Sequence, residues 1–348
     1  MNGLPLAFDM PPPHESIEEM AASQVSDAAA MQRLALQCRP VVIRGVLAHW
    51  PAVDAARRGA ADALAYLRQF AAGHRAEYFS ADADLAGRYH YGEGPGGFNF
   101  TRKTASVKDA LDRIEDNALG EGTETAYLGS LPADIHYPGF AQANGCDLLP
   151  SGVHPRLWVG NRSTVACHYD VYDNLACVVA GRRRFTVYPP DAIGDLYIGP
   201  IDHTLSGQPV SLADGAGEAD PRYPRFALAK ERAMAVELAP GDALYLPKLW
   251  WHQVEATEPL NILANYWWDG FSAGPDSPYA AMMLAMITLA ERPAEERAAW
   301  RAFYDHYVFR ERGHPLAHMP EAQHGVLGRL SENYGRIRTM VMRMLRAG

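Results

Sequence analysis

Between residues 124 and 268 the chain breaks into short runs rich in β-branched and aromatic residues, separated by Gly, Pro and Asp: TAYLGSL, RLWVGN, NLACVVAG, RFTVYPP, ALYLP, WHQVEA and NILANYWW. Several short strands at this spacing predict an antiparallel sandwich or barrel. The polar stretch GQPVSLADGAGEADPRYPRF has Gly and Pro throughout and reads as a surface insertion. Placed around residues 203–226, it is expected to shape the entrance of a site.

Helical patterns flank this segment. A stiff leader, Pro11–Pro13, precedes VSDAAAMQRLALQ, a helix started by Ser26 or Asp27, and RPVVIRG then reads as a short strand closed by Gly45. ADALAYLRQF and SVKDALDRIEDN predict amphipathic helices, the second capped by Ser106 with Val107, Ala110, Leu111 and Ile114 on one face. Beyond residue 270, Ser277-Pro278 opens a helix over YAAMMLAMITLAERP, and PAEERAAWRAFYDHYVF follows it. LGRLSENYGRIRTMVMRML places Leu327, Leu330, Tyr334, Ile337, Val341 and Leu345 near helical spacing. That Met-rich apolar face either packs on its own domain or joins two copies in a homodimer. The expected organisation is an α/β platform over 1–123 packed on the barrel, a β core over 124–270, and helices over 271–348.

The 348 residues are 48% hydrophobic and 21% charged, enough to bury one large core or two smaller ones. With 32 Lys and Arg against 41 Asp and Glu, the formal charge of -9 excludes a chain-wide grip on nucleic-acid phosphates. Cys38, Cys146, Cys167 and Cys177 lack CxxC pairing and read as reduced thiols of a cytosolic protein, Cys167 serving as a small packing residue. The N-terminal stretch has neither a basic nor an apolar signal region, and no uncharged apolar run reaches the about 18 residues of a membrane span. A soluble, cytoplasmic protein is therefore expected.

The stretch ACHYDVYDNLACVVAGRRRFTVYPP covers residues 166–190. A single strand over 166–178 would put His168 and Asp170 on the same face, where their donors can converge on one ion. A lone His-x-Asp is also the pattern of two satisfied polar side chains. The later PGDALYLPKLWWHQVEA places His252 at the start of another strand, behind an aromatic pair. Two imidazoles and a carboxylate on neighbouring strands are the ligand set of a facial triad, which leaves positions on Fe(II) open for a co-substrate and dioxygen. Thirteen histidines make chance pairings available, so the surrounding residues must decide.

Those surroundings resemble a family. HYDVYDNLACVVAGRRRFTVYPPD, followed by LYIGP and GDALYLPKLWWHQVE…NILANYWW, is similar to the JmjC or cupin-like 2-oxoglutarate dioxygenases, especially the group of the factor-inhibiting-HIF asparaginyl hydroxylase. RPVVIRGVLAHWPA resembles the N-terminal strand and turn of that group, and the similarity covers residues 38–268. The resemblance implies a mainly β fold with flanking helices, built on a double-stranded β-helix (jelly-roll) core. It also implies that His168, Asp170 and His252 hold Fe(II). 2-Oxoglutarate would bind the iron and split to succinate and carbon dioxide while one oxygen atom enters a substrate.

In the family a lysine beyond the hairpin glycine takes the distal carboxylate of the co-substrate. Arg183 stands at the matching position here; it keeps the charge but is longer and bulkier. On a strand Arg183 shares a face with Phe185 and Val187, while Arg182 and Arg184 turn to the other face. Tyr127, Asn174 and Asn265 match positions that line the co-substrate pocket. Val165 replaces an expected threonine, and strand parity turns the adjacent Thr164 away. Trp250, Trp251 and Trp267 read as core, although Trp267 lies near the family's substrate cleft.

The resemblance implies hydroxylation of a C–H bond, with a polypeptide preferred as substrate over a small metabolite or a modified nucleoside. Fold alone does not fix the substrate. A metal cupin that works without 2-oxoglutarate also fits these residues, with Arg183 binding the substrate itself. A non-catalytic JmjC-like binding module is a third alternative, against which the intact triad argues.

Overall fold

The computed structural model describes residues 16–92, 97–120, 122, 124–205, 207–214, 220–272 and 274–347, so the Pro11–Pro13 leader lies outside the described residues. Two compact units divide the chain, Met1–Gly270 and Phe271–Gly348.

The first unit begins with β1 (Glu18–Ala21), α1 (Ala28–Leu36), β2 (Val41–Arg44), α2 (Pro51–Arg58), α3 (Ala60–Arg68), β3 (Arg75–Asp82), β4 (Arg88–Tyr89), β5 (Thr101–Ser106) and α4 (Val107–Ala118). It continues through β6 (Glu124–Pro132), the single turns α5 (Ala133–His136) and α6 (Phe140–Ala143), β7 (Arg156–Gly160), β8 (Ser163–His168), β9 (Asp173–Ala180) and β10 (Arg183–Tyr188). After α7 (Phe226–Glu231) come β11 (Met234–Leu238), β12 (Ala243–Leu246), β13 (Trp251–Ala256) and β14 (Asn261–Trp268).

These strands form a nine-stranded sheet, β1-β2-β12-β9-β14-β7-β6-β3-β5, and a five-stranded sheet, β11-β10-β13-β8-β4. From β7 onward the chain passes repeatedly from one sheet to the other. The result is a jelly-roll core with flanking helices. Strands β1, β2, β3 and β5 lie within the larger sheet, so these N-terminal strands extend the core sheet itself.

Strand β9 is buried at every position because it lies between β12 and β14 and both of its faces are covered. Leu175, Cys177 and Val179 pack into one apolar cluster with Leu34, Val53, Leu64 and Leu111 of α1–α4. Ala176 and Val178, pointing the other way, pack with Phe185, Val187 and Val254 of the smaller sheet. The helices on the outer face are capped as their sequences lead one to expect: Asp27 Oδ1 accepts from Ala30 N at 2.8 Å, and Ser106 Oγ from Asp109 N at 3.1 Å.

Two local expectations are corrected. The single strand over 166–178 is two strands in different sheets: β8 stops at His168, and residues 169–172 turn across to β9. Asp170 therefore sits in a turn rather than on a strand face shared with His168. The segment around Gly181 is likewise no hairpin, because β10 pairs with β11 and β13 while β9 pairs with β12 and β14. Gly181 makes this sheet-to-sheet crossing with φ +72°, and a Cβ there would meet Leu260 O at 2.5 Å.

The second unit contains α8 (Pro278–Leu289), α9 (Ala294–Tyr304) and α10 (Leu330–Ala347). Ser277 Oγ accepts from Tyr279 N, and Pro278 occupies the first turn of α8. No helix among the described residues is long and apolar enough to cross a membrane.

Candidate functional site

His168 closes β8 and faces His252 across the antiparallel register with β13, next to a register shift between His252 and Val254. The two rings lie 4.3 Å apart between centroids. Each ring is fixed in the same way, with Nδ1 of His168 2.8 Å from Ala166 O and Nδ1 of His252 3.0 Å from Trp250 O. A carbonyl only accepts, so Nδ1 of each ring is the donor and Nε2 is the nitrogen left to meet a metal. This is how metal-ligating histidines are normally oriented.

Asp170 is held in its turn by Leu249 N, which donates to its carbonyl at 2.8 Å. Its Oδ2 lies 4.0 Å from His252 Nε2. Burial lowers the His252 pKa well below the ordinary value, with the His168 charge adding to the effect. Burial raises that of Asp170, and His168, Trp267 and Asn174 pull it back. Among the described residues no three His, Cys, Asp or Glu side chains form a ready-made metal cage. A donor set of two imidazoles and a carboxylate nevertheless suits Fe(II).

A cavity of about 430 Å³ brings the seven expected site residues together: Tyr127, His168, Asp170, Asn174, Arg183, His252 and Asn265. Arg183 is only 2% exposed. Its guanidinium donates to the Tyr127 hydroxyl, while Nε and Nη2 have no hydrogen-bond partner among the described residues. The alternation of β10 sends Arg182 and Arg184 outward, where they pair with Glu237 at 2.6 Å and Glu255 at 3.9 Å. Arg183 has no such partner among the described residues, and burial lowers its pKa. An unpaired buried cation costs several kcal/mol, so this one marks the cavity wall as a place for an anion.

The remaining expected residues are less uniform. Burial raises the pKa of Tyr127, partly offset by Arg183. Asn174 Nδ2 lies 3.5 Å from Asp170 Oδ2, and its Oδ1 is without a partner among the described residues. Asn265 is buried, and its Oδ1 accepts from Trp158 Nε1 at 2.6 Å, so that acceptor is already used. Val165 adds an apolar patch to the cavity wall where the resemblance leads one to expect a threonine. Trp267 lines the cavity, whereas Trp250 and Trp251 are buried with their indole N–H groups on Cys38 O and Pro190 O. From the insertion, Leu205, Gln208 and Val210 reach the cavity; residues 206 and 215–219 lie outside the described ones.

Arg156 and Ser130 also line the cavity, and neither stands out in the sequence. Arg156 looks like an ordinary charge at a strand end. Gly129-Ser130 within TAYLGSL is the one signal of an irregular strand there.

The cupin-like domain family matches residues 27–274, which span every strand named above except β1, and every cavity residue named above. This chain belongs to the cupin-like JmjC family. That family is one of Fe(II)- and 2-oxoglutarate-type oxygenases. The chain is similar to the Jumonji C domain-containing protein 5 of Drosophila melanogaster, 27% identical over 259 residues, which are 70% of this chain and 59% of that protein. It is also similar to lysine-specific demethylase JMJ31 of Arabidopsis thaliana, 31% identical over 149 residues, 42% of this chain and 26% of that protein. Human HSPB1-associated protein 1 is 31% identical over 156 residues, 42% of this chain and 31% of its own length. The aligned regions thus span between 26% and 59% of these JmjC relatives.

Proposed function

We propose that this JmjC-family protein is an Fe(II)- and 2-oxoglutarate-dependent oxygenase that hydroxylates a C–H bond of a protein or peptide side chain. Arg183 carries this reading. A buried guanidinium whose Nε and Nη2 lack partners among the described residues presents the edge that grips a carboxylate through two parallel hydrogen bonds. A dicarboxylate bound to iron at one end needs such a cation at the other.

His168, Asp170 and His252 would hold the iron, which with dioxygen and 2-oxoglutarate supplies the oxidising chemistry and leaves succinate and carbon dioxide. Arg183 binds the distal carboxylate, and Tyr127 fixes the guanidinium. Asn174 and Asn265 furnish the polar wall beside it. Ala176, Val254 and Leu263 keep the rest of the cavity apolar, which limits water around the reacting groups.

The name of the Arabidopsis relative as a lysine-specific demethylase supports an amino-acid side chain as substrate. The net charge of -9 argues against nucleic acid, and four unpaired cysteines support a reducing cytoplasmic compartment. Exposed Met282, Met286 and Ile287 of α8, with Met340, Met344 and Leu345 of α10, support a homodimer joined through the C-terminal helices.

The test is anaerobic titration of the Fe(II)-loaded protein with 2-oxoglutarate. The visible charge-transfer band of an iron-bound 2-oxo acid is expected in the wild type and absent in His252→Ala. A wild-type protein that binds iron and never develops the band would exclude the proposed co-substrate.

A further inference from the structure

The cavity contains a second guanidinium that a single co-substrate does not explain. Arg156, at the first position of β7, donates from Nε to Ser130 Oγ and from Nη2 to Ser130 O, each at 2.6 Å. These bonds occupy the side edge of the guanidinium and leave Nη1 uncommitted among the described residues. Its charge has no carboxylate partner among the described residues, and burial lowers its pKa. The guanidinium lies over the Trp267 ring, 5.6 Å from the centroid. Trp267 in turn stands edge-on to Trp158, which Asn265 holds in place.

The local backbone is distorted to form this clamp. Strand β6 loses register with β7 between Leu128 and Leu131, and Ser130 sits there with φ 55°, in the left-handed region that a serine seldom adopts. A bulge of this kind re-aims a side chain, and backbone strain of this kind concentrates at functional sites. Here it gives both the hydroxyl and the carbonyl of Ser130 to one arginine. Arg183 is fully enclosed, whereas Arg156 is only half-buried on the same cavity. The two cations therefore serve different depths.

We infer that Arg156, clamped by Ser130 and stacked on Trp267, binds the primary substrate, and that this substrate carries a carboxylate. The inference rests on the oxygenase reading in assigning Arg183 to the co-substrate. A lone guanidinium end with an aromatic shelf matches a planar carboxylate, whereas a phosphate is usually met by several donors together.

The test uses full-length protein loaded with Mn(II) and saturated with 2-oxoglutarate. It is titrated with phenylacetate and with the neutral isostere phenylacetamide, and binding is followed by ligand-observed NMR. Phenylacetate is expected to bind saturably and at least tenfold more tightly than the amide. Arg156→Gln should erase that preference and Arg156→Lys should restore part of it. Ser130→Ala, which keeps the charge but frees the arginine, should weaken it. Equal binding of the two probes to the wild type, or a preference that survives Arg156→Gln and disappears in Arg183→Gln, would overturn the inference. If the wild type binds no 2-oxoglutarate while the preference still depends on Arg156, the oxygenase reading fails and the carboxylate site stands.

Discussion

His168 and His252 meet as direct cross-strand partners on β8 and β13, with ring centroids 4.3 Å apart and each Nδ1 bonded to the carbonyl two residues earlier. The strand register thus decides which nitrogens are offered to a ligand, and a one-residue slip would turn His252 away from the cavity. Replacing either histidine by alanine is expected to lower Fe(II) affinity by more than about 100-fold, beyond the 10–100-fold typical of losing a supporting residue. Titration of the purified apo variants with Fe(II) under anaerobic conditions, alongside circular dichroism to confirm folding, measures this.

Arg183 should show opposite effects on function and stability. Arg183→Gln removes the charge-assisted bonds to the co-substrate and is expected to raise the 2-oxoglutarate Kd by about 10–100-fold, from roughly 1.5–3 kcal/mol per such contact. Arg183→Met exchanges a buried cation that lacks a carboxylate partner for an apolar side chain. The apo protein should therefore gain stability, by an increment within the about 1–4 kcal/mol seen when buried ion pairs are replaced by apolar side chains, and melt at a higher temperature. Calorimetric titration and thermal melts of the same two variants would separate the effects.

Gly160 is packed against Tyr127. A Cβ there would lie 2.6 Å from Tyr127 Cδ2 and 2.9 Å from Ala126 O, whereas one at Gly73 would meet nothing within 4 Å. Gly160→Ala is expected to displace the Tyr127 ring, cost about 1–3 kcal/mol through overpacking and weaken 2-oxoglutarate binding. Gly73→Ala should leave that binding unchanged. Denaturant melts and co-substrate titrations on both variants decide the matter.

Asp214 gives a pH dependence. Its carboxylate accepts from Cys167 N at 2.8 Å, yet burial raises its pKa above the ordinary value of 3.8. The unfolded chain therefore releases this proton first as pH rises. Stability attributable to Asp214 is lost as pH climbs from about 3.8 through the raised folded-state pKa, and the loss is complete once pH has passed that pKa. Asp214→Asn, which keeps an acceptor for Cys167 N, is expected to be more stable than wild type near neutrality and to lose that advantage in acid. Urea melts across the acidic to neutral range measure the difference.

The sequence made the β core legible because β6, β7, β12, β13 and β14 carry compact apolar runs between breakers, and the caps Asp27 and Ser106 marked real helix starts. Pro51 at the first turn of α2 was a usable signal as well, since proline is suited to that position. The division between β8 and β9 was harder to read. Burial of every residue in β9 removes the alternation that would have marked where a new strand begins. The crossing at Gly181 was hidden for a related reason: partners of β10 lie far along the chain, in β11 and β13, and a glycine-arginine turn looks the same whether or not its flanking strands pair. At the site, the parity of β10 was enough to single out Arg183 among three arginines. Arg156 escaped notice because its meaning comes from a bulge in another strand and from Trp267, neither of which is adjacent in sequence.

The most direct measurement of the central claim is succinate formation from 2-oxoglutarate by the wild type supplied with Fe(II), ascorbate and dioxygen, run beside His252→Ala. The expected result is iron-dependent succinate from the wild type and none above background from the variant. Iron-loaded wild type that yields no succinate, or a variant that matches the wild type, would contradict it.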